Sequence, residues 1–130
     1  VITIASHPRM LRRILERATI VFKDGCVRIE IEAGIDDLLS ERGLLHGASL
    51  AALCIIASEY AISSLAEAQR YIAVNTFINF IRQVSEPNSI TIESCIESTT
   101  AISASVTTYL LVDGIEAAKS TTLFLKIQGE

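Results

Sequence analysis

Apolar and polar positions alternate most cleanly over residues 26–32, where Val27, Ile29 and Ile31 interleave with Arg28, Glu30 and Glu32. That period of two predicts a strand with one wet face. Residues 18–22 read as a shorter strand before it. Asp24-Gly25 between them is a two-residue hairpin signal, because a type I′ turn needs positive φ at both central positions. The alternation returns near the C-terminus. Ile90, Ile92 and Ile96 oppose Thr91, Glu93 and Glu97 over residues 89–98. Residues 102–112 set Ile102, Ala104, Val106, Thr108 and Leu110 against Ser103, Ser105, Thr107 and Tyr109. A last strand over 115–127 follows a second Asp-Gly pair, Asp113-Gly114. Residues 71–84 read as a long, mostly apolar strand ended by the Glu86-Pro87-Asn88 turn. In it Asn75 and Asn79 share a face with Tyr71, Phe77 and Ile81, a polar patch suited to a groove or a strand edge.

Two segments carry the helical period instead. Residues 6–17 form a short basic amphipathic helix, with Arg9, Arg12, Arg13 and Arg17 beside Met10, Leu11, Ile14 and Leu15. It is expected to pack on the domain with its cations in water. Residues 48–64 form the main helix. Leu50, Leu53, Ala57 and Tyr60 lie on one face, and Ile55 and Ile56 extend the apolar surface so far that the helix must be wrapped on most sides. Residues 33–45 are a loop with a turn of helix near 36–40. The order is thus strand pair, long helix, four antiparallel strands. A twisted antiparallel sheet curled round one apolar helix satisfies both. The fold class is α+β, one domain over 1–130, with the terminal helix at about 6–17 and the core at about 18–127.

Bulk properties sharpen this. A chain of 130 residues can bury one real core. Half its residues are hydrophobic and its mean hydropathy is +0.44. That excess, with long strand edges that need cover, predicts a homodimer and allows a dimer of dimers. A net charge of −4 gives no sign of the basic face that a nucleic-acid partner requires, the local exception being Arg9, Arg12, Arg13 and Arg17, which could attract an anionic ligand or surface. The apolar run 50–57 is broken by Ser58-Glu59, well short of the ~20 residues that cross a bilayer, so no membrane span is expected. Cys26, Cys54 and Cys95 include no closely spaced pair, and with His7 and His46 as the only histidines no metal site is expected. No apolar stretch follows the early basic residues as in a signal peptide, so a reducing cytoplasm is the default expectation.

Candidate chemistry centres on Gly43-Leu44-Leu45-His46-Gly47-Ala48-Ser49, a turn that opens the main helix, and on Phe80-Ile81-Arg82-Gln83 at the end of the long strand. Together they resemble the hotdog-fold thioesterases of the 4-hydroxybenzoyl-CoA and phenylacetate-pathway type. In these a G-x-x-H-G-G turn starts the central helix and a strand ends in F-x-R-P. The resemblance covers about residues 18–127. It implies a hotdog fold, an acyl-CoA or other acyl thioester as substrate bound at a dimer interface, and no cofactor beyond the coenzyme A of that substrate. It also implies that Gly47 N–H is the oxyanion donor, as the physics of a helix start allows. His46 belongs to the turn, while Ala48 and Ser49 adjoin the ligand and Asn75 and Arg82 are candidate binding residues.

The chain departs from this family where a carboxylate is due. One branch keeps an acid nine positions after the histidine, and here that is Ile55. The other keeps an Asp three residues before the first glycine, and here that is Ser40. Glu59, one turn beyond Ile55, and Glu41, beside Ser40, are the substitutes, and Ser40 could hold the water instead. Arg70, Lys119 and Lys126 are further possible phosphate partners. Cys54 is expected to be a core thiol. Two functions follow: a thioester hydrolase, or a non-catalytic hotdog acting as an acyl-CoA-binding or structural subunit.

Overall fold

The computed structural model describes residues 9–32, 35–38, 47–85 and 87–127. Its order is α1 (Arg9–Glu16), β1 (Thr19–Lys23), β2 (Cys26–Ile31), α2 (Gly47–Ile62), β3 (Tyr71–Phe80), β4 (Ile90–Thr99), β5 (Ser103–Val112) and β6 (Ile115–Lys126). The six strands form one antiparallel sheet in the order β1-β2-β4-β5-β6-β3. Short 3-10 turns at Ile35–Leu38 and Ala68–Arg70 flank α2. This is the hotdog architecture, an α+β fold. No helix among the described residues is long and apolar enough to cross a membrane.

Both Asp-Gly turns have the geometry their sequence demands. Asp24 and Gly25 sit at φ 49° and 77°, Asp113 and Gly114 at 50° and 82°. They fix the β1–β2 and β5–β6 registers, and with them which residues face α2. On the inner face Val27, Ile29 and Ile31 of β2 meet Ile90 and Ile92 of β4, Val106 and Leu110 of β5, and Ala118 and Phe124 of β6, all buried. Four buried inner positions are hydroxyls, Ser94, Thr108, Ser120 and Thr122. Ser94 and Thr108 hydrogen-bond at 2.7 Å, and Thr122 bonds to Thr76 of β3 at 3.2 Å, so these three stay paired in the apolar interior, while Ser120 stands beside Cys54 of α2.

The helix α2 touches every strand except β1 with several residues each. Leu53, Cys54, Ala57 and Ala61 are fully buried against the sheet. Burial is not complete, however. Ala48 is exposed and Ala51, Ala52, Ile55 and Glu59 are only half-buried. They form a stripe that the chain's own sheet leaves open, where the all-round apolar pattern predicted nearly full cover.

One pairing lies beyond what the sequence spacing shows, and one expectation needs correction. Cys26 and Cys95 are far apart in sequence yet are bonded, because antiparallel pairing of β2 with β4 sets them directly opposite each other. Tyr71 and Asn75 do not share a face either. A bulge between Ala73 and Asn75 shifts the register, so Tyr71 faces α2 while Asn75, Phe77 and Asn79 turn outward. Leu53, with no exposed surface, is the centre of the helix–sheet contact. Leu53→Ala should cost about 2–5 kcal/mol in denaturant unfolding with unchanged secondary structure. A loss under about 1 kcal/mol would mean that α2 packs loosely.

Candidate functional site

The first residue of α2 is Gly47. Its N–H has no intrahelical acceptor and lies at the positive end of the helix dipole. Gly47 is not at positive φ, and a Cβ there would meet only the Phe80 ring, at 3.7 Å, an ordinary contact. Neither backbone conformation nor crowding by the described atoms requires glycine at this point. What the missing side chain leaves is room. A cavity of about 320 Å³ opens here, lined by Gly47, Leu50, Phe80, Arg82, Gln83 and Val84.

Phe80 is the aromatic residue of the strand-end motif, and its ring forms the floor over Gly47. Arg82 is exposed at the rim. Its Nε donates to Glu116 O at 3.3 Å, and its Nη2 to Val112 O at 3.3 Å and Ile115 O at 3.5 Å. The guanidinium therefore ties the β5–β6 hairpin to the cavity and contributes its positive charge there. Ala48 and Ser49 lie in the first turn of α2, as the sequence places them. Ser40, Glu41 and His46 lie outside the described residues, as does Gly43.

Ile55 is half-buried on the open stripe of α2, eight residues and so ~12 Å along the axis from Gly47. No carboxylate among the described residues takes its place. Glu59 lines a different cavity, of about 270 Å³, with Ile62, Ser63, Gln69, Tyr71 and Phe124. It is ~18 Å along α2 from Gly47, so one copy of the chain does not bring the two together. Asn75 is also apart, on the sheet face opposite α2 and paired across from the exposed Leu123.

The second cavity was not foreseen, although its carboxylate was. Its other members carry no signal of their own in the sequence. Tyr71 arrives through the β3 bulge, and Gln69 through a 3-10 turn. Glu59 is the one charged residue of α2, and among the described residues its carboxylate has no ion pair or hydrogen-bond partner. Burial alone pushes its carboxyl pKa up, which makes it a better proton acceptor than a solvated glutamate.

The remaining candidates are engaged elsewhere. Glu67, held down in pKa chiefly by its hydrogen bond to Lys126, pairs with Lys126 at 2.5 Å and Arg70 at 3.5 Å. Lys119 stands over the Tyr109 ring at 5.3 Å on the outer face. Cys54 is a buried free thiol, pushed up to about 11 by burial with the Ser120 hydroxyl pulling weakly the other way. It is inert as a nucleophile near neutrality.

Desolvation of Glu59 has a stability signature. A carboxyl whose folded pKa is raised favours the native state most at low pH, and that contribution is lost as pH rises through the folded pKa. Glu59→Gln should therefore stabilise the fold near neutral pH, and the gain should vanish below the ordinary carboxylate range. Urea midpoints at the two pH values test this. Destabilisation at neutral pH would mean that Glu59 has a favourable partner.

Comparison with known proteins agrees with this geometry. The family model described as thioesterase superfamily matches residues 42–111. No curated protein sequence matches the chain. Among solved structures the chain is similar to zebra fish thioesterase superfamily member 2, at TM-score 0.81 and 20% identity over 95% of this chain and 90% of that one. It is similar to a hypothetical thioesterase from Streptococcus pneumoniae, solved with coenzyme A, at TM-score 0.78 and 19% identity over 88% of both chains. A phenylacetic acid degradation-related protein from Ralstonia eutropha matches at TM-score 0.76 and 18% identity over 92% of both chains. With more than half of its length matched by the family model, and with this fold, the chain belongs to the thioesterase superfamily.

Proposed function

We propose that the protein binds and hydrolyses acyl thioesters of coenzyme A, with no further cofactor, in a site assembled from two copies of the chain. One observation carries this reading. The two cavities lie at opposite ends of α2 and open beside the same strand, with Phe80 of β3 in one and Tyr71 of β3 in the other. β3 is the last strand of the sheet, so its outer edge is unpaired among the described residues. It exposes Ile72, Val74, Phe77 and Phe80, an edge that invites pairing.

A two-fold axis through the middle of β3 pairs it with its copy in antiparallel fashion. The start of each β3 then lies beside the end of the other. Glu59 and Tyr71 of one subunit are thereby set next to Gly47 and Phe80 of the partner subunit. The open stripe of α2 is covered by the same step.

Within such a site the thioester carbonyl oxygen accepts from Gly47 N–H, where negative charge develops as water adds to the carbonyl carbon. Glu59 of the partner subunit takes the proton from that water. The tetrahedral intermediate collapses by breaking the C–S bond, and the thiolate leaves and takes up a proton, giving acid and thiol. The coenzyme A bound to the Streptococcus pneumoniae relative supports the choice of carrier. Ile55 at the family's acid position favours a second reading, a subunit that binds acyl-CoA without hydrolysis. Glu59 stands ~6 Å further along the axis, and the loop residues Glu41 and Ser40 remain alternatives for the water.

Proline is tolerated at the first position of a helix, where its missing N–H costs no intrahelical bond. Gly47→Pro thus deletes the proposed donor with little harm to α2, and Gly47→Ala is the steric control. Across a panel of short, long and aromatic acyl-CoAs, Gly47→Pro should lose roughly 10²–10³-fold in kcat. Glu59→Gln should lose about 10²–10⁴-fold, and Gly47→Ala should retain most activity. Binding of acyl-CoA by calorimetry without turnover in the parent establishes the second reading. Sedimentation should give a dimer or a dimer of dimers at micromolar concentration, and a monomer would refute the assembled site.

A further inference from the structure

The outer face of the sheet carries a sulfur pair that the proposed hydrolytic site does not use. Cys26 is the first residue of β2, directly after the Asp24-Gly25 turn, and it is bonded to Cys95 of β4. Both are half-buried on the face turned away from α2. They sit in a row across the sheet that runs Lys23, Cys26, Cys95, Thr107, Thr121. A cavity of about 360 Å³ opens beside Cys95, lined also by Glu93, Ile96, Glu97, Thr107 and Tyr109. A small thiol therefore has a route to the Cys95 sulfur in the folded protein.

The pair governs one element, the tip of the β1–β2 hairpin. Beyond the β1–β2 and β2–β4 ladders, three ties among the described residues hold that tip. Ile96 N–H donates to Gly25 O at 3.0 Å. The Phe22 ring stands edge-on to Tyr60 of α2, with centroids 6.2 Å apart. The third tie is the Cys26–Cys95 bond. β1 is otherwise a five-residue edge strand with little burial. Without the covalent tie, the tip keeps the end of the strand ladders, one hydrogen bond from Ile96 and one ring contact. Tyr60 is the neighbour of Glu59 on α2, so the tip also braces the turn of helix that carries the proposed base.

We propose that Cys26 and Cys95 form a reversible redox site, a dithiol when reduced and a staple closing the hairpin tip onto β4 when oxidised. Oxidation takes two electrons and two protons from the thiols. With a low-molecular-weight disulfide as oxidant, one thiolate forms a mixed disulfide and expels a thiol. The second cysteine then displaces the other small thiol and closes the bond. Excess small thiol reverses both steps, entering at Cys95. Accessible disulfides are the more readily exchanged, and the cavity beside Cys95 gives that access. Cys54, buried and with its thiol pushed up to about 11, stays out of the exchange. None of this depends on the hydrolase reading.

The test equilibrates the full chain in glutathione buffers of varied ratio, followed by acid quench, alkylation and mass spectrometry. Cys54→Ser serves as the background. The expected result is loss of two alkylatable thiols together at a single midpoint, in a product of monomer-chain mass under non-reducing conditions. Reduction should proceed on the native protein at a rate unaffected by low denaturant. It should raise amide exchange several-fold at residues 20–25 ahead of the rest of the sheet, and lower Tm by roughly 10 °C. Cys26→Ser in oxidising buffer should match the reduced parent in both readouts. The proposal is overturned if both sulfurs stay alkylatable in oxidised glutathione, if reduction occurs only through unfolding, or if the exchange increase spreads evenly over the sheet.

Discussion

A helix that is apolar on nearly every side has to be enclosed, and one twisted sheet encloses only part of it. That constraint organises the molecule. α2 contains a single charged residue among its sixteen. Its buried face fixes which strand positions must be apolar, and the two Asp-Gly turns hold the registers that put them there. The remaining stripe, from Ala48 through Ala51, Ala52 and Ile55 to Glu59, lies beside the free edge of β3. Uncovered helix and uncovered strand edge form one surface, and in the proposed dimer a second copy would cover both at once. Such pairing would raise the apolar burial per residue.

The site inherits this arrangement. A helix start offers a donor, and a half-buried glutamate offers an acceptor, but they belong to opposite ends of one helix. In the proposed dimer, antiparallel pairing of two such helices would turn that separation into proximity. The price is a desolvated carboxylate whose pKa is raised, a shift that suits the base role proposed for it. Arg82, matched to the family's strand-end motif, acts first on the protein itself by gripping three carbonyls of the neighbouring hairpin. Its role at the rim depends on that anchoring.

Much of the fold was legible because its signals are local. The strands expected at 18–22, 26–32, 89–98, 102–112 and 115–127 lie within a residue or so of those observed. Period-two alternation and Asp-Gly turns with both residues at positive φ leave little freedom. The long strand ends at Phe80 rather than at 84, where Arg82 leaves the ladder to bind the β5–β6 hairpin. What escaped was set by pairing between distant segments. Cys26 and Cys95 meet only because β2 neighbours β4. Tyr71 and Asn75 part company only because of a bulge. The open side of α2 was invisible because an all-round apolar helix does not say which side its own sheet will take. Gly47, Ala48 and Ser49 open α2, close to where the sequence starts the helix, while the second cavity is a product of tertiary packing and left only Glu59 as a trace.

The central claim is that each site needs two subunits, and subunit complementation measures this directly. Gly47→Pro and Glu59→Gln protomers are prepared separately, mixed, dissociated and reassociated, with mixed dimers counted by native mass spectrometry. In a site built across the two-fold, a mixed dimer carries one doubly impaired site and one intact one. Two inactive proteins should then regain activity approaching about a quarter of the parent's in a statistical mixture. Mixed dimers that form in full yet hydrolyse no faster than either variant alone would contradict the account.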